Sequence, residues 1–408
     1  MAEAVIVSTA RSPIGRAYKG TMTEARIEDL SVQMLNAALD KVPDLDPKTI
    51  DDLILGCGQP AGEAGNNLAR VVAVAAGLDE VPGTTVNRYC SSSLQTTRMA
   101  FHAIKAGEGE VFLSMGAETV SRFGNGYADG WPNVDVRSPL FSEALARTDR
   151  RAESGAEAWH DPRKDGLLPD VFIQMGQTAE NVTQLTGISR QEQDEFGVRS
   201  QNLAEKAIAN GFWERDITPI KLPDGTVISK DDGPRPGTTY EKVAALPPVF
   251  RPDGVVTAGN SCPLNDGAAA LVIMSDTKAR ELALTPLARI VATGVTGLSP
   301  EIMGLGPIGA TQRALKNAGM SIGDIDLVEI NEAFAVQVIA SSRELGIPMD
   351  KINVNGGAIA VGHPFGMTGA RITSTLINSL QFHDKQFGLE TMCVGGGQGM
   401  ALILERLS

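Results

Sequence analysis

Hydrophobic and polar residues follow the same succession of periods near both ends of this chain. Residues 30–58 show an amphipathic helical pattern, an acidic turn and a buried-strand pattern, and residues 307–334 repeat that order. An extended run to Cys90, a helical run to Ala106 and the apolar run EVFLSMGAE follow in the first copy. The second copy continues with KINVNGGAIAVGH, a helical pattern over 369–380 and TMCVGGGQG. The pattern predicts two copies of one mixed α/β unit, with layered sheets and helices on their faces.

The pattern changes over residues 121–252, which are richer in charge, Gly and Pro and contain helical patterns at 175–185 and 190–210. We interpret this region as a subdomain inserted between core strands. The expected halves are therefore residues 1–270, which include the insertion, and residues 271–408.

Basic residues lie close together in sequence within the insertion. The stretch is either a solvated loop or a phosphate-binding edge, and the sequence favours neither reading. These cations are Lys221, Lys230, Arg235 and Lys242.

Composition narrows the functional classes. The 408 residues are 42% hydrophobic and 21% charged, as in ordinary globular proteins. A formal net charge of −13 argues against a nucleic-acid surface, although a local basic site for an anionic ligand is compatible with it. The first residues, MAEAVIVSTARSP, lack a basic leader, and no apolar run approaches the length of a membrane span. Four scattered cysteines do not suggest a disulfide framework, so we expect reduced thiols and a cytoplasmic location.

Cys90 is the first candidate for chemistry, because it lies at the corner between the extended run and the helical run. A nucleophilic cysteine needs a lowered pKa, and free backbone N–H groups at a helix N-terminus can stabilise both a thiolate and an oxyanion. The small residues 91–93 leave room for a substrate. The alternative is a buried structural thiol, which is the commoner case for an isolated cysteine.

The second copy places His363 in a glycine-rich segment at the equivalent corner, where a base could activate Cys90. Cys393, in the closing glycine run, could transfer protons, and Asn331 could hold a water or an oxyanion. A Cys90–Cys393 redox pair lacks a C-x-x-C spacing, and a zinc site lacks clustered ligands. The other histidines lack such surroundings and are expected to be structural.

These segments together resemble the thiolases. NRYCSSSLQ is similar to the nucleophile segment of that family, TAGNSCPLNDGAAA to its pantetheine loop, NEAF to its oxyanion asparagine, GGAIAVGHPFGMTGAR to its histidine segment and CVGGGQG to its acid/base cysteine. The resemblance runs from about residue 5 to about residue 404 in the family's order. It implies a five-layered αβαβα core of two similar halves, with a loop domain inserted in the first.

The resemblance also implies acyl transfer to coenzyme A in two steps. Cys90, activated by His363, attacks a 3-ketoacyl-CoA and retains the acyl chain. Acetyl-CoA leaves as an enolate that Cys393 protonates, and a second CoA thiol, deprotonated by Cys393, releases a shortened acyl-CoA. One oxyanion hole combines His363 with a water held by Asn331, and the other uses the backbone N–H groups of Cys90 and Gly395.

Further positions match the family's CoA and acyl contacts. The resemblance implies no metal and no permanently bound cofactor, since coenzyme A is a substrate. It also implies acyl-CoA and CoA as partners, and a homodimer or homotetramer. The implied contact residues are Arg235, Leu246, Phe250, Ala258, Gly259, Met175 and Phe334.

Three departures from the family pattern bear on the substrate. Gln174 replaces a histidine of many biosynthetic members, which favours the degradative 3-ketoacyl-CoA enzymes of β-oxidation and fatty acid metabolism over acetoacetyl-CoA synthesis. Cys262 and Pro263 replace a serine and a glycine of the pantetheine loop, and Cys262 is either a binding contact or merely packed. Ser93 stands where many members have glycine. The alternatives are a biosynthetic acetyl-CoA acetyltransferase and, more remotely, a catalytically silent acyl-CoA-binding subunit.

Overall fold

The structure is a computed structural model that describes residues 2–125, 137–153, 155 and 157–408. Among these residues the strands form a ten-stranded sheet and a separate two-stranded ribbon. The strands are β1 (Ala4–Arg11), β2 (Gly15–Arg16), β3 (Asp52–Gly56), β4 (Gly83–Val86), β5 (Val111–Thr119), β6 (Ile220–Lys221), β7 (Val227–Ile228), β8 (Asn265–Ser275), β9 (Ala288–Gly297), β10 (Leu327–Ile330), β11 (Phe387–Val394) and β12 (Gln398–Arg406).

The helices lie on the faces of this sheet and in the region between its halves. They are α1 (Ile27–Leu39), α2 (Leu68–Ala75), α3 (Ser92–Ala106), α4 (Ser142–Arg151), α5 (Met175–Thr186), α6 (Arg190–Ala209), α7 (Phe212–Asp216), α8 (Tyr240–Ala244), α9 (Asp276–Glu281), α10 (Gly306–Ala318), α11 (Ala335–Leu345), α12 (Ala358–Val361) and α13 (Thr368–Phe382).

The sheet consists of two similar halves. The order along it is β10-β11-β12-β9-β1-β8-β5-β3-β4, with β2 paired to β8. The halves meet through two residue pairs of β1 and β9, Val5 with Arg289 and Ile6 with Ala288. Each half combines parallel and antiparallel neighbours, as the duplicated α/β unit predicts.

Five layers follow from the packing of the helices. Helices α1 and α2 cover the outer face of the first half, and α10 covers that of the second, with α11 packed beside it. Between the halves lie α3, which packs on strands of the first half, and α13, which contacts α3 and strands of both halves. Apolar residues of the periodic segments are buried where these layers meet. They form three apolar clusters. The predicted thiolase-like α/β architecture is confirmed.

The middle layer depends on a close approach of α3 and α13. A Cβ atom on Gly369 would lie only 2.2 Å from the backbone nitrogen of Leu94, so only glycine allows this crossing. The backbone amide of Ala370 donates to Ser93 Oγ at 2.9 Å, which fixes the two helices in register. The corners that precede α3 and α13 are thereby brought together.

The two helices predicted in the insertion are α5 and α6. Helix α6 begins with a capping box of Ser189 and Glu192, and it packs against α12. Helix α5 packs against α11 and the turn Pro300–Leu305. Part of the inserted region, residues 126–136, 154 and 156, lies outside the described residues. The bounds of the inserted loop domain, at about residues 121 and 252, therefore stay a prediction.

Candidate active site

Cys90 lies in the single 3₁₀ turn Tyr89–Ser91 between β4 and α3. Tyr89 has a φ of 46°, which is uncommon for a non-glycine residue. Two side chains pair with backbone amides of this turn. Asn87 Oδ1 accepts from the backbone amide of Tyr89 at 2.8 Å, and Ser92 Oγ accepts from that of Arg88 at 2.9 Å. The thiol is therefore held at the predicted strand-to-helix corner.

The expectation of a lowered pKa for Cys90 is wrong for this arrangement. Burial raises the pKa of the thiol to about 12, although the backbone amides of Gly395 and of Cys90 itself act in the opposite direction. A short turn of N–H groups does not outweigh the loss of solvation. The group is a neutral thiol at pH 7, so it needs a base at the moment of attack.

His363 is fully buried at the second corner, just before α13. Its backbone amide donates to Asn265 Oδ1 at 2.9 Å. Its Nε2 lies 3.3 Å from Asn331 Nδ2, and its Nδ1 lies 2.6 Å from Thr368 Oγ1. Burial, and then the charge of Arg371, lowers the pKa of His363 to about 3, so the imidazole is neutral and able to accept a proton.

Asn331 and Cys393 lie at the carboxyl ends of β10 and β11, two neighbouring parallel strands. Asn331 follows β10, and its Oδ1 is buried without a hydrogen-bond partner among the described residues. Cys393 is the penultimate residue of β11, and burial raises its pKa well above the usual range, with smaller contributions from Cys90 and Cys262. Gly395 follows that strand and supplies the amide that contacts the Cys90 sulfur.

Glu118 connects the two corners, and sequence reasoning missed it. Its carboxylate accepts from the backbone amides of Gly58, Gln59 and Gly366 at 2.8, 3.2 and 2.7 Å. Burial raises its pKa to about 7. The run EVFLSMGAE does not reveal the role of Glu118, because the backbone amides that it accepts from belong to distant segments.

Asn265 and Thr368 were also missed as partners of His363. Thr368 lies within the histidine segment itself, where a small polar residue five positions after the histidine was the available signal. Asn265 begins β8, far away in sequence, and its contact depends on the packing of the halves.

A cavity of about 310 Å³ opens at Cys90. Met175 lines it, as the resemblance implied, together with Gly395. Phe250 and Phe334 lie in the adjoining apolar cluster and contact each other edge to face, with ring centroids 6.3 Å apart.

A second cavity, also of about 310 Å³, contains four of the expected CoA contacts together with further cations. Arg16 and Lys242 line it beside Arg235. The remaining cations of the basic stretch lie elsewhere: Lys230 lines a different cavity, and Lys221 is in the ribbon strand β6. The four expected residues are Arg235, Leu246, Ala258 and Gly259.

Cys262 is partly buried in the apolar cluster that contains Cys393 and Phe334. Its backbone amide donates to Ala333 O at 3.1 Å, and burial raises the pKa of its thiol. In the described ranges, no cluster of His, Cys, Asp and Glu side chains is arranged to hold a metal ion. Within the same ranges, no helix has the length and apolar character required to cross a membrane.

Comparisons with known proteins cover both halves of the chain. Residues 4–277 match the family described as Thiolase, N-terminal domain, and residues 284–406 match Thiolase, C-terminal domain. The chain is 43% identical to the 3-oxoadipyl-CoA/3-oxo-5,6-dehydrosuberyl-CoA thiolase of Escherichia coli K12, over 100% of both proteins. It is 41% identical to the 3-ketoacyl-CoA thiolase of Bacillus subtilis, over 99% of this chain and 100% of that protein. The crystal structure of the Bacillus anthracis acetyl-CoA acetyltransferase superposes with a TM-score of 0.86 at 40% identity, over 100% of this chain and 99% of that one.

Proposed function

Because this chain belongs to the thiolase family, we propose that it cleaves 3-ketoacyl-CoA esters with coenzyme A, yielding acetyl-CoA and an acyl-CoA shortened by two carbons. It is an acyltransferase that uses coenzyme A as a substrate. The degradative direction, and with it a place in fatty acid β-oxidation, is the proposed part. The biosynthetic alternative is not favoured.

In the first step His363 takes the proton of the Cys90 thiol while the sulfur attacks the keto carbon. The bond between C2 and C3 breaks, the acyl group remains on Cys90, and Cys393 gives a proton to the acetyl-CoA enolate. Because the pKa of Cys90 is about 12 and that of His363 about 3, the resting pair is neutral. Proton transfer therefore accompanies the attack instead of preceding it.

In the second step Cys393, now deprotonated, takes the proton of an incoming CoA thiol. That thiolate attacks the acyl-cysteine, the shortened acyl-CoA leaves, and the released Cys90 sulfur takes back the proton that His363 accepted in the first step. The backbone amides of Cys90 and Gly395 form one proposed oxyanion hole, and His363 with a water held by Asn331 forms the other. Donors aimed at charge that develops only during reaction accelerate it by stabilising the transition state.

The observation that supports this proposal is the proximity of His363 to Asn331 and of Cys393 to Cys90. His363 Nε2 lies 3.3 Å from Asn331, and the strand that bears Cys393 continues into the Gly395 amide that contacts Cys90. The proposed nucleophile and base stand at the corners that precede α3 and α13, two helices that pack against each other. The cavity that holds Arg235 supplies cations for the phosphates of coenzyme A.

CoA-dependent cleavage of acetoacetyl-CoA, 3-oxooctanoyl-CoA and 3-oxopalmitoyl-CoA tests the function, with Cys90→Ala as the control. We expect the longer esters to react faster and Cys90→Ala to abolish turnover with the fold intact. Cys393→Ala should lower turnover by about 10³-fold, because both steps lose the thiol that carries the proton. No cleavage of any ester by a folded wild-type protein would contradict the proposal.

We also propose that the enzyme acts in the cytoplasm as a homodimer or homotetramer. Strand β4 stands at one end of the sheet order, and its four residues are only partly buried. An exposed strand edge offers unpaired backbone groups to a second copy. Light scattering of the purified protein, with a Thr85→Pro variant as a probe of that edge, measures the assembly.

A further inference from the structure

We propose that the acyl pocket beside Cys90 selects 3-ketoacyl-CoA esters with an uncharged, apolar acyl chain and discriminates against esters that carry a carboxylate at the far end of that chain. This inference rests on the proposed thiolysis and names its substrate class. One of the relatives at 43% identity is named for 3-oxoadipyl-CoA, whose acyl chain ends in such a carboxylate.

The walls of the Cys90 cavity are apolar. Among the described residues that line it there is no Lys, Arg or His, and its polar groups are the Gln59 amide, the Tyr89 hydroxyl and the Cys90 thiol. A carboxylate that leaves water without a cationic partner is strongly disfavoured. The apolar and aromatic lining side chains are Tyr89, Val171, Phe172, Ile173, Met175 and Phe365.

The rim continues this apolar surface outward. Phe172 is 41% exposed and contacts Phe141 edge to face, with ring centroids 5.4 Å apart. Leu140, next to Phe141, is 70% exposed. An acyl chain that extends beyond the cavity therefore meets further apolar side chains, which favours hydrocarbon over a charged terminus.

Two arginines close to the lining residues through sequence or through their partners are engaged. Arg88, next to Tyr89, donates to Gln95 Oε1 at 3.0 Å and to Gln398 Oε1 at 2.7 Å. Arg122 forms an ion pair with Glu63 at 2.6 Å. A carboxylate that paired with either arginine would have to break one of these contacts.

Glu118 places a further acid directly behind the wall. It accepts hydrogen bonds from the backbone amides of Gly58 and Gln59, and both of these residues line the cavity. Behind this part of the wall a carboxylate in the pocket would therefore meet an acid and not a cation. Like charges in a poorly solvated site raise the cost of ionisation for both.

A matched pair of substrates tests the inference: 3-oxohexanoyl-CoA and 3-oxoadipyl-CoA have the same number of acyl carbons and differ in the terminal carboxylate. We expect kcat/KM for 3-oxohexanoyl-CoA to exceed that for 3-oxoadipyl-CoA by at least about 100-fold. Comparable values, or a preference for 3-oxoadipyl-CoA, would overturn the inference while leaving the proposed thiolysis intact. Cleavage of neither ester would instead contradict the proposed function.

A substitution that adds a positive charge at the rim of the cavity is the second test. Phe172→Arg should raise the ratio of kcat/KM for 3-oxoadipyl-CoA over 3-oxohexanoyl-CoA by about 10-fold or more, because a cation then meets the terminal carboxylate. Phe172→Met, which removes the ring but adds no charge, should leave that ratio unchanged. An equal change in both variants would show that shape rather than charge sets the selectivity, and would also overturn the inference.

Discussion

His363 Nδ1 lies 2.6 Å from Thr368 Oγ1, and the same hydroxyl lies 2.6 Å from the carbonyl oxygen of Pro364. A carbonyl oxygen only accepts, so the single hydroxyl proton of Thr368 points to Pro364. Nδ1 of His363 must then carry a proton and donate it to Thr368. The lone pair is thereby placed on Nε2, the nitrogen that faces Asn331.

Removal of this hydroxyl should impair catalysis without disrupting the fold. We expect Thr368→Val to lower kcat by about 10–100-fold, since the imidazole loses the contact that fixes its tautomer and orientation. The pH profile of kcat/KM should change as well, because both tautomers become accessible. Thr368→Ser keeps the hydroxyl and should restore most of the activity. An equally inactive Thr368→Ser, with unchanged thermal unfolding, would exclude this role.

Arg235 should act on coenzyme A and not on the chemical step. Arg235→Ala is expected to raise KM for CoA by about 10-fold and to change kcat little, since it removes a charge-assisted contact made in both the ground and transition states. Lys230→Ala is the matched control, because Lys230 belongs to the same basic stretch but lines a different cavity. Similar effects of both substitutions on KM would assign the role to overall charge.

Local periodicity was sufficient to locate many elements. The helical patterns at 175–185 and 190–210 correspond to Met175–Thr186 and Arg190–Ala209, and the second helix begins at a capping box that its sequence contains. The corner at Cys90 was located for the same reason, since an extended run changes there to a helical one.

The electrostatics of the site could not be predicted from the sequence. Helix-terminal amides suggested a lowered pKa for Cys90, but the opposite shift results from burial, which depends on tertiary packing. The contacts of Glu118 join segments near residues 58 and 366, and no local pattern encodes such distant pairs. Thr368 lies within the histidine segment, but its role depends on which of its two contacts receives its single hydroxyl proton.

Gly369 tests the requirement for close approach between α3 and α13. Gly369→Ala would gain helix propensity, but its Cβ would lie 2.2 Å from Leu94 N and 2.6 Å from Leu94 Cβ. We expect a net loss of about 2 kcal/mol in the free energy of unfolding, because backbone cannot move aside as a flexible side chain can. Activity should also fall, since Leu94 belongs to the helix that follows Cys90.

Gly323→Ala is the matched control for this substitution. The nearest atom to its added Cβ is Ser321 Oγ at 3.5 Å, an ordinary contact distance. Thermal unfolding and kcat should stay close to those of the wild type. If Gly369→Ala were as stable as Gly323→Ala, the interface of the two helices would be more adaptable than the distances imply.

Glu390 provides a pH-dependent prediction from the buried interior. Burial raises its pKa to about 8. Thr373 Oγ1 lies 2.9 Å from Gly369 O and 2.8 Å from Glu390 Oε2, and it has one proton to donate. If that proton goes to the carbonyl of Gly369, the carboxyl group of Glu390 must donate to Thr373. The geometry therefore fits a neutral Glu390 at pH 7.

The sign of the effect follows from the direction of this shift. A carboxyl group whose pKa is raised from 4.5 to about 8 on folding stabilises the folded state below pH 4.5, and that contribution is lost as the pH rises through about 8. Glu390→Gln keeps a neutral side chain at every pH. At about pH 9 it should raise the free energy of unfolding by roughly 2 kcal/mol relative to wild type, with little change at about pH 5. Urea unfolding at both pH values measures this difference.

Glu344→Gln, a substitution of an exposed glutamate, should leave the pH dependence unchanged. A destabilised Glu390→Gln at high pH would mean that the ionised carboxylate is the form that the interior stabilises.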